Sequence, residues 1–216
     1  MFLIKAAIFD LDNTLYDYDS CNNIAEQKLV SQISMWSDCS EQAACVILGK
    51  AKETIKYRLG NVAASHNRLL YMQNICEQLG LNPVHYALDL YSLYWDTILH
   101  EMTAYEYVLP TFAWLHSRHI KIGILTDLTA HIQYRKLRTL GIASEIDMIV
   151  TSEEAGEEKP SAKMFRLMAE KCEESFEDMI MIGDSQSKDI AGAAACGMKG
   201  LLYIPGMDVR KELEKR

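Results

Sequence analysis

The chain has 216 residues, of which 49% are hydrophobic and 24% are charged, as in a globular protein with a sizeable core. Its formal net charge of −8 argues against binding to nucleic acid or to an anionic membrane surface, because both require a basic face. No apolar run approaches the roughly 20 residues that cross a bilayer. Because the sequence shows neither a signal-peptide pattern nor paired cysteine spacing, we expect a cytoplasmic protein with reduced thiols.

The first predicted element is a short buried strand that ends in two acidic residues. Residues 4–9 form an apolar run interrupted only by Lys5, and Asp10 and Asp12 follow it. Because the side chains of a strand alternate between its faces, these two carboxylates project to the same side where the strand ends. Two carboxylates at one point repel each other unless a cation or a shared proton compensates. The pair therefore indicates a functional site.

Residues 17–105 contain no convincing strand and are predicted to be helical. Apolar residues recur there at helical spacing in three stretches, which places each set on one helix face. The three sets are Ala25, Leu29, Ile33 and Trp36; Leu69, Met72, Cys76 and Leu79; and Val84, Leu88, Tyr91, Trp95, Ile98 and Met102. We interpret the aromatic residues of the last set as core between helices rather than as a ligand site.

From about residue 108 onwards, predicted strands and helices alternate, which is typical of a parallel sheet covered by helices. Strands are predicted at 121–125, 146–150, 179–182 and 200–203. Helices are predicted at 110–118, 129–140, 161–173 and 187–196, with a solvated terminal turn at 210–216. The predicted fold class is α/β, with a Rossmann-like parallel-sheet core, helices on both faces and an additional all-helical domain.

Polar residues follow four of the predicted strands, and parallel strands bring their carboxyl ends to one edge of a sheet. The later members of this group are Thr126, Asp127, Lys159, Asp184 and Asp189. Carboxylates without histidine or cysteine partners favour a hard cation such as Mg²⁺. A lysine and a hydroxyl suit an oxyanion such as phosphate. A carboxylate can also be a nucleophile, with a second one as general acid and base.

Four segments resemble, in order and spacing, the motifs of haloacid dehalogenase (HAD) phosphatases that carry an inserted helical cap. The segments are residues 9–15, 125–127, 156–160 and 183–193. The resemblance covers residues 1–16 and roughly 106–206. It implies a catalytic core made of residues 1–16 and 106–216, interrupted by a helical cap at 17–105.

The resemblance implies Mg²⁺-dependent hydrolysis of a small phosphomonoester through an aspartyl-phosphate. Asp10 would be the nucleophile, and Asp12 would be the general acid and base. The phosphate would be bound by Thr126, Asp127 and Lys159. The metal ion would be held by Asp10, the backbone carbonyl of Asp12 and Asp184, and Asp189 would either ligate it or order its waters and Lys159. The implied partner is a phosphorylated metabolite, such as a nucleotide or a sugar phosphate, and the protein would be a monomer or a small homo-oligomer.

Asp127 departs from the family pattern, in which asparagine usually follows the threonine. If the family uses mainly the backbone N–H of that residue, the change is tolerated. If the side chain faces the phosphate, it adds repulsion and weakens the binding of highly charged substrates. We favour tolerance.

Three residues of the predicted cap are candidates for contacts with the rest of the substrate: Arg58, His66 and Arg68. They lie in a polar stretch between predicted helices, for which a solvated loop and helix start is the alternative interpretation. Two other functions remain open. One is a phosphomutase on the same scaffold, and the other is a binding or regulatory protein that keeps the fold without turnover.

Overall fold

The computed structural model describes residues 4–60 and 62–215. The chain divides into two compact units, of which one comprises Met1–Asp17 and Thr103–Arg216 and the other comprises Tyr18–Met102. We refer to them as the core unit and the helical unit. No helix in the described part of the chain is both long enough and apolar enough to cross a membrane.

The core unit is built on a five-stranded sheet in which every neighbouring pair is parallel. Its strands are β1 (Ala6–Phe9), β2 (Lys121–Thr126), β3 (Met148–Thr151), β4 (Met179–Gly183) and β5 (Lys199–Leu202), in the spatial order β3-β2-β1-β4-β5. All residues of β1 and β4 are buried, so both faces of the sheet are covered. The predicted parallel α/β core is confirmed, and β1, with its acidic turn, occupies the centre.

The helices of the core unit lie between these strands in the chain, except the last one, which follows β5. They are α5 (Val108–His116), α6 (Ala130–Thr139), α7 (Ser152–Ala155), α8 (Ala162–Cys172), α9 (Ala191–Ala195) and α10 (Val209–Glu214). A single π-helical turn, Gln186–Ile190, precedes α9. The prediction of a solvated turn at the end of the chain was wrong, because Val209 and Leu213 lie one helical turn apart on α10 and are both buried.

Within its described residues, 18–60 and 62–102, the helical unit has four long helices and one short 3₁₀ turn, Ala63–His66. The helices are α1 (Tyr18–Ser37), α2 (Glu41–Leu59), α3 (Arg68–Gln78) and α4 (Pro83–Glu101), and α4 packs on both α1 and α3. The predicted apolar face of α4 was partly wrong. Val84 and Leu88 are 88% and 58% exposed, whereas Ala87, Leu90 and Tyr94 are buried. Apolar periodicity alone does not determine which of two adjacent stripes meets the neighbouring helices.

Candidate active site

The polar residues of the predicted site gather at the carboxyl edge of the sheet. Asp10 directly follows the central strand β1, and Asp127 and Asp184 directly follow its two neighbours β2 and β4. Phe9 pairs with Ile124 on one side and with Ile182 on the other, so the three strands end close together. The expected convergence of these motifs follows from the strand order.

Lys159 forms the centre of a buried charged cluster at this edge. Its Nζ lies 2.7 Å from Asp10 Oδ1 and 2.7 Å from Asp189 Oδ1. The second oxygen of Asp189 accepts a hydrogen bond from the backbone N–H of Ser185 at 3.0 Å. Lys159 is 4% exposed, Asp10 8% and Asp189 fully buried, so these charges interact with little screening by solvent.

The environment shifts the pKa values of two members of this cluster. Burial raises the pKa of Asp10 to about 8, with the Lys159 ammonium opposing the rise and Asp189 adding to it. For Lys159, burial alone would lower the pKa, but the carboxylates of Asp10, Asp189 and Asp127 outweigh it and raise the pKa above its ordinary range. The surrounding carboxylates therefore favour the cationic form of Lys159, whereas burial favours the protonated form of Asp10 in the metal-free protein.

Three carboxylates at this edge could hold a metal ion. One oxygen from each of Asp10, Asp184 and Asp189 lies within 4.8 Å of the other two. The ammonium of Lys159 contacts two of them, Asp10 and Asp189. A divalent cation that prefers oxygen ligands fits both the charge and the donor atoms.

Gly183, at the end of β4, leaves room for this arrangement. A Cβ atom at position 183 would lie 2.3 Å from Asp189 Oδ2 and 2.4 Å from its Cγ, well inside van der Waals contact. Any larger residue would push the Asp189 carboxylate away from Lys159 and Ser185. The glycine is therefore a requirement of the buried cluster.

The hydroxyl of Thr126 is oriented by a residue that the sequence did not identify. Gln133, fully buried on α6, donates from Nε2 to Thr126 Oγ1 at 2.6 Å and to the Asp127 carbonyl at 2.7 Å. The carbonyl can only accept, so it determines which end of the amide points toward the strand. Within the described chain, Gln133 Oε1 is buried without a hydrogen-bond partner, a cost that the contact with Thr126 offsets.

The side chain of Asp127 is bonded to protein donors. Its Oδ1 accepts from the backbone N–H of Lys159 at 3.0 Å, and its Oδ2 lies 2.8 Å from the Nζ of Lys188. The first contact ties the end of β2 to the loop that carries Lys159. The second contact places the Lys188 ammonium against the Asp127 carboxylate and so reduces the repulsion between this carboxylate and a bound phosphate.

Asp12 is held by two residues that the sequence analysis also missed. Lys136 of α6, fully buried, contacts both carboxylate oxygens at 2.7 and 2.9 Å, and the hydroxyl of Tyr16 donates to Oδ1 at 2.7 Å. A charged residue on the buried face of an amphipathic helix is the signal that could have identified Lys136, because a lysine is seldom buried without a partner. In the same turn, Thr14 Oγ1 accepts from the backbone N–H of Asp184 at 3.1 Å.

The three specificity candidates belong to the helical unit, where Arg68 makes three hydrogen bonds with described residues. Arg58 is exposed on the last turn of α2, which corrects the alternative that residues 57–59 form a loop. His66 ends the 3₁₀ turn and is half-buried. Arg68 opens α3 and donates to Tyr94 OH at 3.2 Å, to Tyr18 OH at 2.7 Å and to the His66 carbonyl at 2.7 Å.

Comparison with known proteins agrees with this arrangement. Residues 4–197 match the family model described as haloacid dehalogenase-like hydrolase. The chain is 34% identical over 205 residues to the ribulose-1,5-bisphosphate 5-phosphatase of Halopiger xanaduensis, covering 94% of this chain and 86% of that protein. It is 29% identical over 200 residues to the glyceraldehyde 3-phosphate phosphatase of Methanopyrus kandleri, covering 91% and 82%.

Among solved structures, the HAD phosphatase from Thermococcus onnurineus shares the fold. It has a TM-score of 0.74 and 21% sequence identity, and the match covers 98% of this chain and 97% of that one. The matched family model spans most of the chain, including all four motifs at the carboxyl edge of the sheet. The chain therefore belongs to the haloacid dehalogenase-like hydrolases, in which it is a phosphoric monoester hydrolase.

Proposed function

We propose that the protein hydrolyses a small phosphomonoester through a covalent intermediate on Asp10, with Mg²⁺ as cofactor. The observation that carries this proposal is the buried cluster in which Lys159 contacts both Asp10 and Asp189. It combines a carboxylate nucleophile, a fixed cation for an oxyanion and a surplus of carboxylates for a divalent ion. The edge of the sheet where it lies is the usual ligand site of such folds.

In the first step, an oxygen of Asp10 attacks phosphorus and the bond from phosphorus to the ester oxygen breaks. Asp12 gives its proton to that oxygen, which leaves as an alcohol. In the second step, a water attacks phosphorus and Asp12 takes its proton. The acyl-phosphate bond breaks, inorganic phosphate leaves, and both aspartates return to their starting states.

Phosphate binding is assigned to Lys159, the Thr126 hydroxyl and the backbone at Asp127. Because Gln133 donates into Thr126 Oγ1, the hydroxyl itself acts as a donor. It donates to the Asp127 carbonyl at 3.2 Å in this structure and would turn to a phosphoryl oxygen when phosphate binds. The Lys159 ammonium would offset the negative charge that the transferring group spreads over its oxygens. The pairing of Asp127 with Lys188 supports tolerance of the aspartate at this position.

The metal ion would be held by Asp10, Asp184 and Asp189, with the backbone carbonyl of Asp12 as a further ligand. Bound Mg²⁺ would supply positive charge to the phosphoryl oxygens and to the carboxylates, and so favour the ionised form of Asp10. Since Lys159 and Ser185 already contact the two oxygens of Asp189, this residue would also serve to position Lys159.

For the substrate, we propose a small sugar phosphate with its phosphate on a terminal carbon. The two relatives named above act on ribulose-1,5-bisphosphate at position 5 and on glyceraldehyde 3-phosphate, which both carry a phosphate on a terminal carbon next to a hydroxyl-bearing one. We further propose that the helical unit is the cap of the enzyme, with Arg68 as its most favoured specificity residue. A nucleotide is the less favoured substrate class.

The test is phosphate release from a panel of terminal sugar phosphates, nucleoside monophosphates and p-nitrophenyl phosphate, with Mg²⁺ and with EDTA. We expect metal-dependent hydrolysis that is fastest for a sugar phosphate and is abolished in Asp10→Asn, which keeps the shape but removes the nucleophile. Equal release by the variant would show that Asp10 is not the nucleophile. Preference for nucleotides would refute the substrate class alone.

The same panel separates the alternative functions. A phosphomutase would isomerise a sugar phosphate, in the presence of the matching bisphosphate, without net release of phosphate. A binding or regulatory protein would bind Mg²⁺ without hydrolysing any member of the panel. The cytoplasmic location and the oligomeric state remain predictions.

A further inference from the structure

Lys136 is a fully buried lysine whose ammonium binds the carboxylate of Asp12. Its Nζ lies 2.7 Å from Oδ1 and 2.9 Å from Oδ2, so one group binds both oxygens. The Tyr16 hydroxyl adds a third contact, 2.7 Å from Oδ1. Together these contacts fix the plane and direction of the carboxylate, since rotation about its side chain would break at least two of them.

The two partners of Asp12 come from distant parts of the chain. Tyr16 lies four residues after Asp12 in the turn that follows β1, and it is fully buried. Lys136 lies 124 residues away on α6, and its ammonium also sits 5.8 Å from the centre of the Tyr16 ring. The orientation of Asp12 therefore depends on the docking of α6 against the acidic turn.

The chain accepts a cost to place a charge at this position. Ile132 and Leu140, one turn before and one turn after Lys136, are buried apolar residues of the same helix face. A methionine or leucine at 136 would continue that face without burying an ammonium, and replacing both partners of a buried ion pair by apolar residues is often neutral or stabilising. The carboxylate that the lysine contacts therefore supplies a reason for its presence.

We propose that Lys136 is the positioning residue of Asp12. It acts through Asp12, by holding the carboxyl group where it can pass a proton to the leaving oxygen and later take one from water. In this proposal Lys136 is given no direct role toward the phosphoryl group or the leaving group. The inference rests on the proposed function, because it takes the acid and base role of Asp12 from it.

The leaving group provides a readout that a purely structural role would not change. p-Nitrophenolate departs without a proton, whereas an alkoxide needs one, and kcat/KM reports the steps up to release of the alcohol. For Lys136→Met we expect kcat/KM to fall by about 10²-fold with the best alkyl phosphate of the panel, and by less than about tenfold with p-nitrophenyl phosphate. Lys171→Met is the matched control, since Lys171 forms an exposed pair with Glu154, 2.7 Å away.

A double variant tests whether the effect passes through Asp12. In the Asp12→Asn background, Lys136→Met should cause no further loss of kcat/KM, because the group that it positions is already gone. If Lys136→Met fails to fold, Tyr16→Phe replaces it in both comparisons. That variant removes one bond to Asp12 and no charge, so the same selective loss is expected with a smaller factor.

Two results would overturn the inference: equal losses for both esters, or full additivity with Asp12→Asn. A wild-type protein that hydrolyses neither ester with Mg²⁺ would instead refute the proposed function, and the inference with it. Hydrolysis of both esters by the wild type, with a selective and non-additive loss in Lys136→Met and none in Lys171→Met, is the expected result.

Discussion

Lys159→Met should destabilise the metal-free protein severely. The variant removes the cation that lies 2.7 Å from both Asp10 and Asp189, and it leaves these carboxylates buried without that partner. Removing one partner of a buried ion pair costs about 3–5 kcal/mol. Because the loss of Lys159 also removes the charge that lowers the pKa of Asp10, the buried Asp10 of the variant favours its protonated form at both pH 6 and pH 8. We therefore expect losses of similar size at the two pH values.

The measurement is the free energy of unfolding in urea, with EDTA present. Lys188→Met is the matched control, because it also removes a lysine from an aspartate of this edge, but from a side chain that is 45% exposed. A pair with such exposure contributes roughly 0–1 kcal/mol. Equal losses for the two variants, or a loss below about 1 kcal/mol for Lys159→Met, would refute the argument that burial makes this cluster energetically important.

Three further outcomes follow from the same edge of the sheet. Gly183→Ala should lower the free energy of unfolding in urea by about 1–3 kcal/mol, because the added Cβ would overlap Asp189. Gly49→Ala is the control: its Cβ would have nothing within 4 Å, so it should stabilise α2 by about 0.5–1 kcal/mol. Equal effects of the two substitutions would contradict the steric argument. Since the folded-state pKa of Asp10 is raised to about 8, its stabilising contribution is complete below pH 4 and is lost as the pH rises to 8. The metal-free wild type should therefore lose stability relative to Asp10→Asn by up to about 1.4 kcal/mol per pH unit over this range. Parallel curves of unfolding free energy against pH for the two proteins would refute the raised pKa. Asp184→Asn should weaken Mg²⁺ binding about 10–100-fold in calorimetry, and unchanged affinity would exclude Asp184 as a ligand.

The sequence predicted the sheet well because its signals are local. The strands are four to six residues long and mostly apolar, and the polar residues that follow β1, β2 and β4 mark where the chain leaves the core. Parallel pairing then brings these ends together, so Asp10, Asp127 and Asp184 could be placed at one edge before the structure was known.

Features that depend on the partner element could not be predicted. Val84 and Leu88 have helical spacing, yet the neighbouring helices bury Ala87 and Leu90 instead. The helix at the end of the chain is stabilised by the burial of Val209, which its mixed charge conceals.

The residues that orient the site were missed for the same reason. Gln133 contacts Thr126, and Lys136 contacts Asp12. Lys136 and Asp12 are separated by 124 positions in the chain. A single helical pattern shows that Gln133 and Lys136 share the buried face of α6. It does not show which groups they meet.

The most direct test of the central claim is to locate the phosphoryl group during turnover. In Asp12→Asn, incubated with p-nitrophenyl phosphate and Mg²⁺ and quenched in acid, mass spectrometry should find a phosphoryl group on Asp10. The first step needs no acid with this leaving group, whereas the second step lacks its base, so the intermediate should accumulate. A phosphoryl group on another residue, or one that still forms in Asp10→Asn, would contradict the account.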